Sequence, residues 1–355
     1  MAHEELPPLN ITPGAIRFNT DSMKLEYFRI STEGGNTGSS DGRGTVAAGE
    51  WVNITTDSPE LHTGGTRGIF AGGFIPTNTN TNVIQYANVD STGNTIDFGN
   101  LSGSRRGMGA CASSTRGIFA GGEPVTNTIE FITIASTGNV TNFGDCLEVR
   151  RQRSGLSNST RGLIAAGYYP SPLQWTNTIE YITIAETGNS VNFGDLSGAK
   201  GGMGNGCSNG TRGIFGGGYT PSYINVIEYV AINTLGNTAD FGDLTSARGV
   251  HGSSSNSVRA LWGGGGSNPG TTAIDYVTMS TLGNGTDFGD LTQARSQVSG
   301  CSSPTRSLFA GGTPGQIDTI DYVQIMSTGN AVDFGNLIAG NQQSVGCSNG
   351  HGGLG

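Results

Sequence analysis

Histidine, cysteine and carboxylate side chains are the usual carriers of chemistry, and in this chain they are scarce or repeated. The histidines are His3, His62, His251 and His351, and no pair has a metal-ligand spacing such as His-x3-His. The cysteines, Cys111, Cys146, Cys207, Cys301 and Cys347, are odd in number and widely spaced, which does not make a disulfide framework. Four of them stand four residues before Thr115, Thr211, Thr305 or His351, and Leu156 and Ser254 fill the same place elsewhere. A place that accepts Cys, Leu and Ser reads as small buried packing. The run Gly263–Ser267 lacks the Lys-Ser/Thr ending of a phosphate loop, and no Asp-x-Asp-x-Asp-Gly calcium loop occurs. Carboxylates such as Asp145, Asp195, Asp243 and Asp290 recur at one repeated position, so they read as structural; an acid pair for glycoside hydrolysis would have to be assembled in space. The expectation is a non-enzymatic protein with no catalytic residues, no metal and no cofactor.

Aromatic side chains in variable segments offer different chemistry. Tyr168, Tyr169, Trp175, Tyr219 and Tyr223 lie among Asn, Thr, Pro and Ser in two neighbouring loops. Aromatic faces beside hydrogen-bonding groups suit sugar rings or a protein partner. These five residues are the candidate ligand-binding set.

What positions them is a repeat. "GIFAGG" at Gly68–Gly73 returns at Gly117–Gly122 and, altered, after Arg161, Arg212, Arg259 and Arg306. With Arg67 and Arg116, these anchor arginines are 45 to 51 residues apart. "DFGNL" from Asp97 keeps step, returning from Asn142, Asn192, Asp240, Asp287 and Asp333. Each unit carries four short apolar or β-branched runs bounded by turn residues, as in 107–113, 116–122, 127–135 and 139–147. Ser-Thr-Gly-Asn between the third and fourth runs predicts a tight hairpin with φ > 0, as do 91–94, 186–189, 234–237 and 327–330. No helical period of useful length is present. Four strands in each of six units predict an all-β, six-bladed β-propeller over residues 64–355. The first unit lacks its innermost strand, and "CSNG" at 347–350 matches "CSNG" at 207–210. Residues 341–350 are therefore expected to complete blade 1 and close the ring.

Two arginine sets recur, one opening the second strand (Arg67, Arg116, Arg161, Arg212, Arg259, Arg306) and one opening the inner strand (Arg105, Arg150, Arg248, Arg295). Alternation places them on opposite faces, and the second set is expected to pair locally near the Asp of "FGDL" or with carbonyls. The loops after each Gly-Gly differ from blade to blade and share one face, where binding is expected.

Composition narrows the partners. The 355 residues carry a net charge of −9, which argues against nucleic acid. No apolar run approaches a membrane span, and "MAHEELPPLN" lacks the basic start and apolar core of a secretory signal. Glycine is 61 of 355 residues, well above the usual ~7%, but the period argues for close backbone packing rather than disorder.

The units resemble the kelch repeat of galactose-oxidase-like propellers: Arg105 before small apolar residues, then "GIFAGG", then "NTIEFITI". The resemblance covers residues 66–355 and implies kelch-like four-stranded blades. It departs in lacking a regular fourth-strand Trp, for which Phe98, Phe143, Phe193, Phe241, Phe288 and Phe334 stand in. The copper ligands and Cys–Tyr link of galactose oxidase find no matching set here. Residues 1–63 read as a separate β-module: a hairpin over 11–29, a polar loop at Ser31–Gly44 and a strand over 47–56. "PGAIRFNT", "KLEYF" and "EWVNIT" in that order resemble a small module of tailed-phage virion proteins, particularly of cyanophages. That resemblance implies a virion structural protein, a tail-fibre or particle-surface component. Residues 1–63 would attach it to other virion proteins, and the loop face would bind host-surface glycan or a neighbouring virion protein. It also implies a homo-oligomer such as a trimer. The alternatives are a carbohydrate-active enzyme with its site at the channel mouth and an intracellular kelch-type adaptor.

Overall fold

The computed structural model describes residues 15–19, 24–30, 49–53 and 66–354. The chain divides into two compact units, Met1–Leu61 and His62–Gly355. In the first unit Ile16–Asn19, Lys24–Ile30 and Gly49–Asn53 form an antiparallel sheet in that order, with Ile16 opposite Tyr27 and Phe28 opposite Trp51. The expected hairpin and third strand are present. His3, His62 and the polar loop at 31–44 lie outside the described residues.

The second unit is a six-bladed β-propeller of four-stranded antiparallel blades. In blade 2 the strands run Gly109–Ala112, Arg116–Ala120, Thr126–Thr133 and Thr141–Arg150 from the channel outwards. Blade 1 closes the ring as the repeat frame predicts: Val345–Ser348 pairs with Arg67–Ala71, Cys347 opposite Ile69. The core lies in wedges at the joints between blades. At the joint of blades 1 and 2, Ile69, Ile84 and Phe98 meet Met108, Phe119 and Ile132. Each fourth-strand Phe is buried edge-on against a third-strand Tyr or Phe, with centroids 5.7–6.3 Å apart.

The repeated letters are joints between blades. The anchor arginines stack over the third-strand aromatic of their own blade at 4.5–4.8 Å and donate through Nη1 to a carbonyl of the next blade at 2.6–3.5 Å. Asn139 of the "STGN" turn accepts a 3.0 Å hydrogen bond from the Asn100 N–H of the preceding blade, and the other five joints repeat the contact. That turn therefore does more than reverse the chain. At the opposite face, Gly72 and Gly73 end the second strand with φ of +60° and +115°, and a Cβ on Gly72 would lie 2.3 Å from the Arg105 carbonyl.

The second arginine set makes the expected carbonyl contacts, as Arg105 does to Gly121 and Arg248 to Trp262, but most of its carboxylates come from the third strand rather than from "FGDL". Arg105 pairs with Glu130, Lys200 with Glu228, Arg248 with Asp275 and Arg295 with Asp321. In blade 3 Arg153, not Arg150, reaches the buried Glu180, at 3.0 Å, while Arg150 pairs with Glu148. The residue after "FGDL" of the preceding blade adds a donor to the same carboxylate, as Thr245 does to Asp275 through N–H and hydroxyl. The "FGD" aspartate instead bridges blades through its main chain, its carbonyl accepting from the next blade, as Asp145 does from Ser190.

Candidate functional site

The central channel is closed in layers, and each layer can be traced to residue choice. Nearest the loop face, Gly107, Gln152, Gly202, Val250, Gln297 and Gln343 have φ between +49° and +61° and circle the channel. Their backbones form a closed ring: Gln152 N–H donates to Gly107 C=O, Gly202 to Gln152, Val250 to Gly202, Val298 to Val250, Gln343 to Gln297 and Gly107 to Gln343, at 2.5–3.2 Å. Below this throat lies a chamber of about 60 Å³. Asn205 crosses the channel beneath it. It is one residue extra in "GMGNGC" relative to "GMGAC" of blade 2. Its Oδ1 accepts from the N–H groups of Ala110 and Gly155 at 3.3 and 3.2 Å, and its Nδ2 donates to Gly346 C=O at 2.7 Å.

Deeper still, Ser157, Ser208, Ser255, Ser302 and Ser348 each donate a hydroxyl to the carbonyl of the preceding blade at 2.5–2.9 Å. The sixth place is Ala112, which cannot donate. There His351, just past the closing strand, brings its Nε2 to 2.9 Å from the Ala112 carbonyl, and the turn Gly352–Leu354 follows beside it. Burial holds His351 below the usual histidine range. His251, also buried, is pushed down to about 3 by desolvation and by the Arg248 charge. All five cysteines are buried, and desolvation raises their thiols, Cys146 and Cys207 to about 12. Cys111, Cys207, Cys301 and Cys347 sit on inner strands as packing residues, as their shared slot with Leu156 and Ser254 implies. Among the described residues, no group of His, Cys, Asp and Glu could hold a metal ion, and no helix is long and apolar enough to cross a membrane.

Above the throat the channel opens into a recess of about 550 Å³. One wall is aromatic. Tyr168 pairs with Trp175 across an extra hairpin on blade 3, their ring centroids 4.5 Å apart. Trp175 continues to Tyr219 at 5.6 Å, and Tyr219 to Tyr223 at 5.2 Å. Tyr223 donates its hydroxyl to Gly266 C=O in blade 5 at 3.2 Å. The structure thus brings together four of the five candidate aromatics. Tyr169 does not line the recess, because it is the next residue in the strand and its side chain takes the other face.

Sequence reasoning missed the rest of the rim. Arg151 stacks over Tyr168 at 4.6 Å, and Glu123 joins it to Arg106, which stacks over Phe74 at 4.4 Å. The available signal was the doubled Arg105-Arg106 and Arg150-Arg151, whose second arginine has no place in a purely structural set. The facing wall is polar and uncharged: Asn268, Ser296, Thr313 and Gln342, with Gln152 and Gln297 towards the throat. The arrangement offers stacking faces on one side and amides and hydroxyls on the other. No protein-family model matches the chain, and no curated protein matches it.

Proposed function

We propose that this chain is a non-enzymatic binding protein of a tailed-phage particle, a tail-fibre or surface component whose blades are of kelch type. In this reading residues 1–63 attach it to other virion proteins, and the recess at the channel mouth takes a host-surface glycan. The observation that carries the binding role is the continuous wall Tyr168–Trp175–Tyr219–Tyr223, three ring contacts long, facing amide side chains across a recess. Such walls stack on the apolar faces of pyranose rings while amides serve the hydroxyls. The particle role rests on the ordered phrases that resemble the virion module, which fall on the three strands of the first unit. Cells of a susceptible host and purified protein test the reading. Trp175→Ala combined with Tyr223→Ala is expected to lower cell-surface binding by about tenfold or more at unchanged melting temperature. Unchanged binding would leave a decorating role on the particle instead.

A further inference from the structure

The recess discriminates among ligands, and its chemistry names a class. Of the side chains lining it, Arg151 is the charged one; it pairs with Glu123, which also holds Arg106 outside the lining. Gln297 lines the recess and carries a buried Oε1 with no hydrogen-bond partner among the described residues. A buried acceptor left unanswered is costly, so the Gln297 amide gains by turning its enclosed Oε1 into the recess, towards a donor on the occupant. Hydroxyl groups donate; carboxylate, sulfate and phosphate groups only accept at neutral pH. The Nε of Arg151 is also unpartnered, but so are those of Arg67, Arg105, Arg248 and Arg295 in the blade joints, so it makes no separate demand for an anion.

The floor adds a second constraint. The throat ring, Asn205 and the serine tier close the channel, and the chamber between throat and Asn205 holds only about 60 Å³, room for a few waters. A polymer cannot thread through. The recess, at about 550 Å³, is within the ordinary range of small-ligand pockets. Building on the glycan reading above, we infer that the recess receives the terminal unit of an uncharged, hydroxyl-rich saccharide, with one hydroxyl donating to Gln297 Oε1 and a ring face on Trp175.

The test uses the full chain on immobilised glycans that share a backbone and differ in two ways: neutral or acidic, and with the end sugar free or buried by extension. Titration calorimetry then follows the best neutral oligosaccharide. Binding is expected to neutral glycans with free ends, with affinity changing less than about twofold between about 50 mM and about 500 mM salt. Gln297→Leu is expected to weaken it by about tenfold at unchanged melting temperature. Binding confined to acidic glycans, a salt loss above about tenfold, or equal binding of extended chains would overturn the inference and leave the glycan site standing. Binding to no glycan at all would remove both. Should Gln297→Leu not fold, the glycan preference and salt response of the unaltered protein decide alone.

Discussion

Gln85 and Asn341 in blade 1 stand where the other five blades place a buried ion pair. Blades 2 to 6 use Glu130 with Arg105, Glu180 with Arg153, Glu228 with Lys200, Asp275 with Arg248 and Asp321 with Arg295. In blade 1 the Gln85 Oε1 accepts from the Thr95 hydroxyl at 2.7 Å and the Ile338 N–H at 2.8 Å, and Asn341 Nδ2 donates to Gly72 C=O at 2.8 Å. The outer hydrogen bonds of each place are kept, while the charges and the direct link between the two partners are dropped. Blade 1 is also the blade made from both ends of the propeller sequence. A charged pair there would have to be stripped of water by segments more than 250 residues apart, Ile338 and Gln85 being separated by 253. Neutral amides dock without that desolvation cost.

The largest effect that could break this comparison is removal of residues 341–355. It takes away the inner strand of blade 1, Asn341 and His351 together, and should cost roughly 5 kcal/mol or more. Thermal unfolding would show it as a large drop in melting temperature or as failure to fold, and an unchanged midpoint would refute ring closure as a source of stability.

Next come the single locks. Asp275→Ala leaves Arg248 charged, buried and unpaired, and is expected to cost about 3–5 kcal/mol in urea unfolding. Gln85→Ala removes only neutral hydrogen bonds and is expected to cost about 1–2 kcal/mol. Equal costs would erase the distinction between blade 1 and its neighbours.

Acid sharpens the same contrast. Burial pushes the Glu228 carboxyl up, but the Lys200 ammonium, the Thr238 hydroxyl and the Ser197 N–H together bring it below its ordinary value of 4.5. A carboxyl depressed in the folded state stabilises fully above the unfolded value, and that contribution is lost as pH falls through the folded one. His251 acts higher on the scale. It is held to about 3 in the folded chain, whereas the unfolded residue takes up a proton near 6.5, so stability should decline from about pH 6.5 towards pH 3. His251→Met, which installs the residue that Met108 and Met203 supply at this place in blades 2 and 4, should flatten that part of the profile in urea midpoints measured against pH. A profile that keeps its slope would mean that His251 is not the group responsible.

The smallest effect is the most diagnostic. Gln85→Glu with Asn341→Arg gives blade 1 the charged pair of the other blades. If desolvation offsets attraction, the double variant should lie within about 1–2 kcal/mol of the parent. A gain of several kcal/mol would show that blade 1 forgoes its ion pair for some other reason.

The architecture was legible because each repeated letter serves a joint that occurs six times. Arg116, the Gly-Gly after Ala120 (Ala166-Gly167 in blade 3), Phe143 and Asn139 recur in phase, and each takes the same place in each blade. The third-strand acids were equally visible, in "TIEF", "TIEY", "VIEY", "AIDY" and "TIDY". The "FGD" aspartates lie nearer the arginines along the chain, but proximity in sequence is a poor guide within a sheet whose strands run antiparallel. The recess was half legible. Clustered aromatics pointed to Tyr168, Trp175, Tyr219 and Tyr223, but alternation along a three-residue strand turns Tyr169 away. The stacking of Arg106 on Phe74 joins residues from two blades, which a blade-by-blade reading does not connect. One layer of the occluded channel rests on one extra residue, Asn205, whose reach across the ring appears only when blades 1, 2, 3 and 4 are seen together.

The serine tier runs in one rotational sense, from Ser348 through Ser302, Ser255, Ser208 and Ser157 to the Ala112 carbonyl. It is an open chain rather than a circle, because Ala112 has no hydroxyl to pass on to blade 1. The joint of blades 1 and 2 therefore lacks the serine stitch of the other five and has His351 at the Ala112 carbonyl instead, and the joint of blades 6 and 1 lacks the ion pair. Mechanically, the propeller is a hoop with a clasp: the two ends of its sequence meet in blade 1, where neutral amides and His351 take the places that an ion pair and a serine hold elsewhere in the ring.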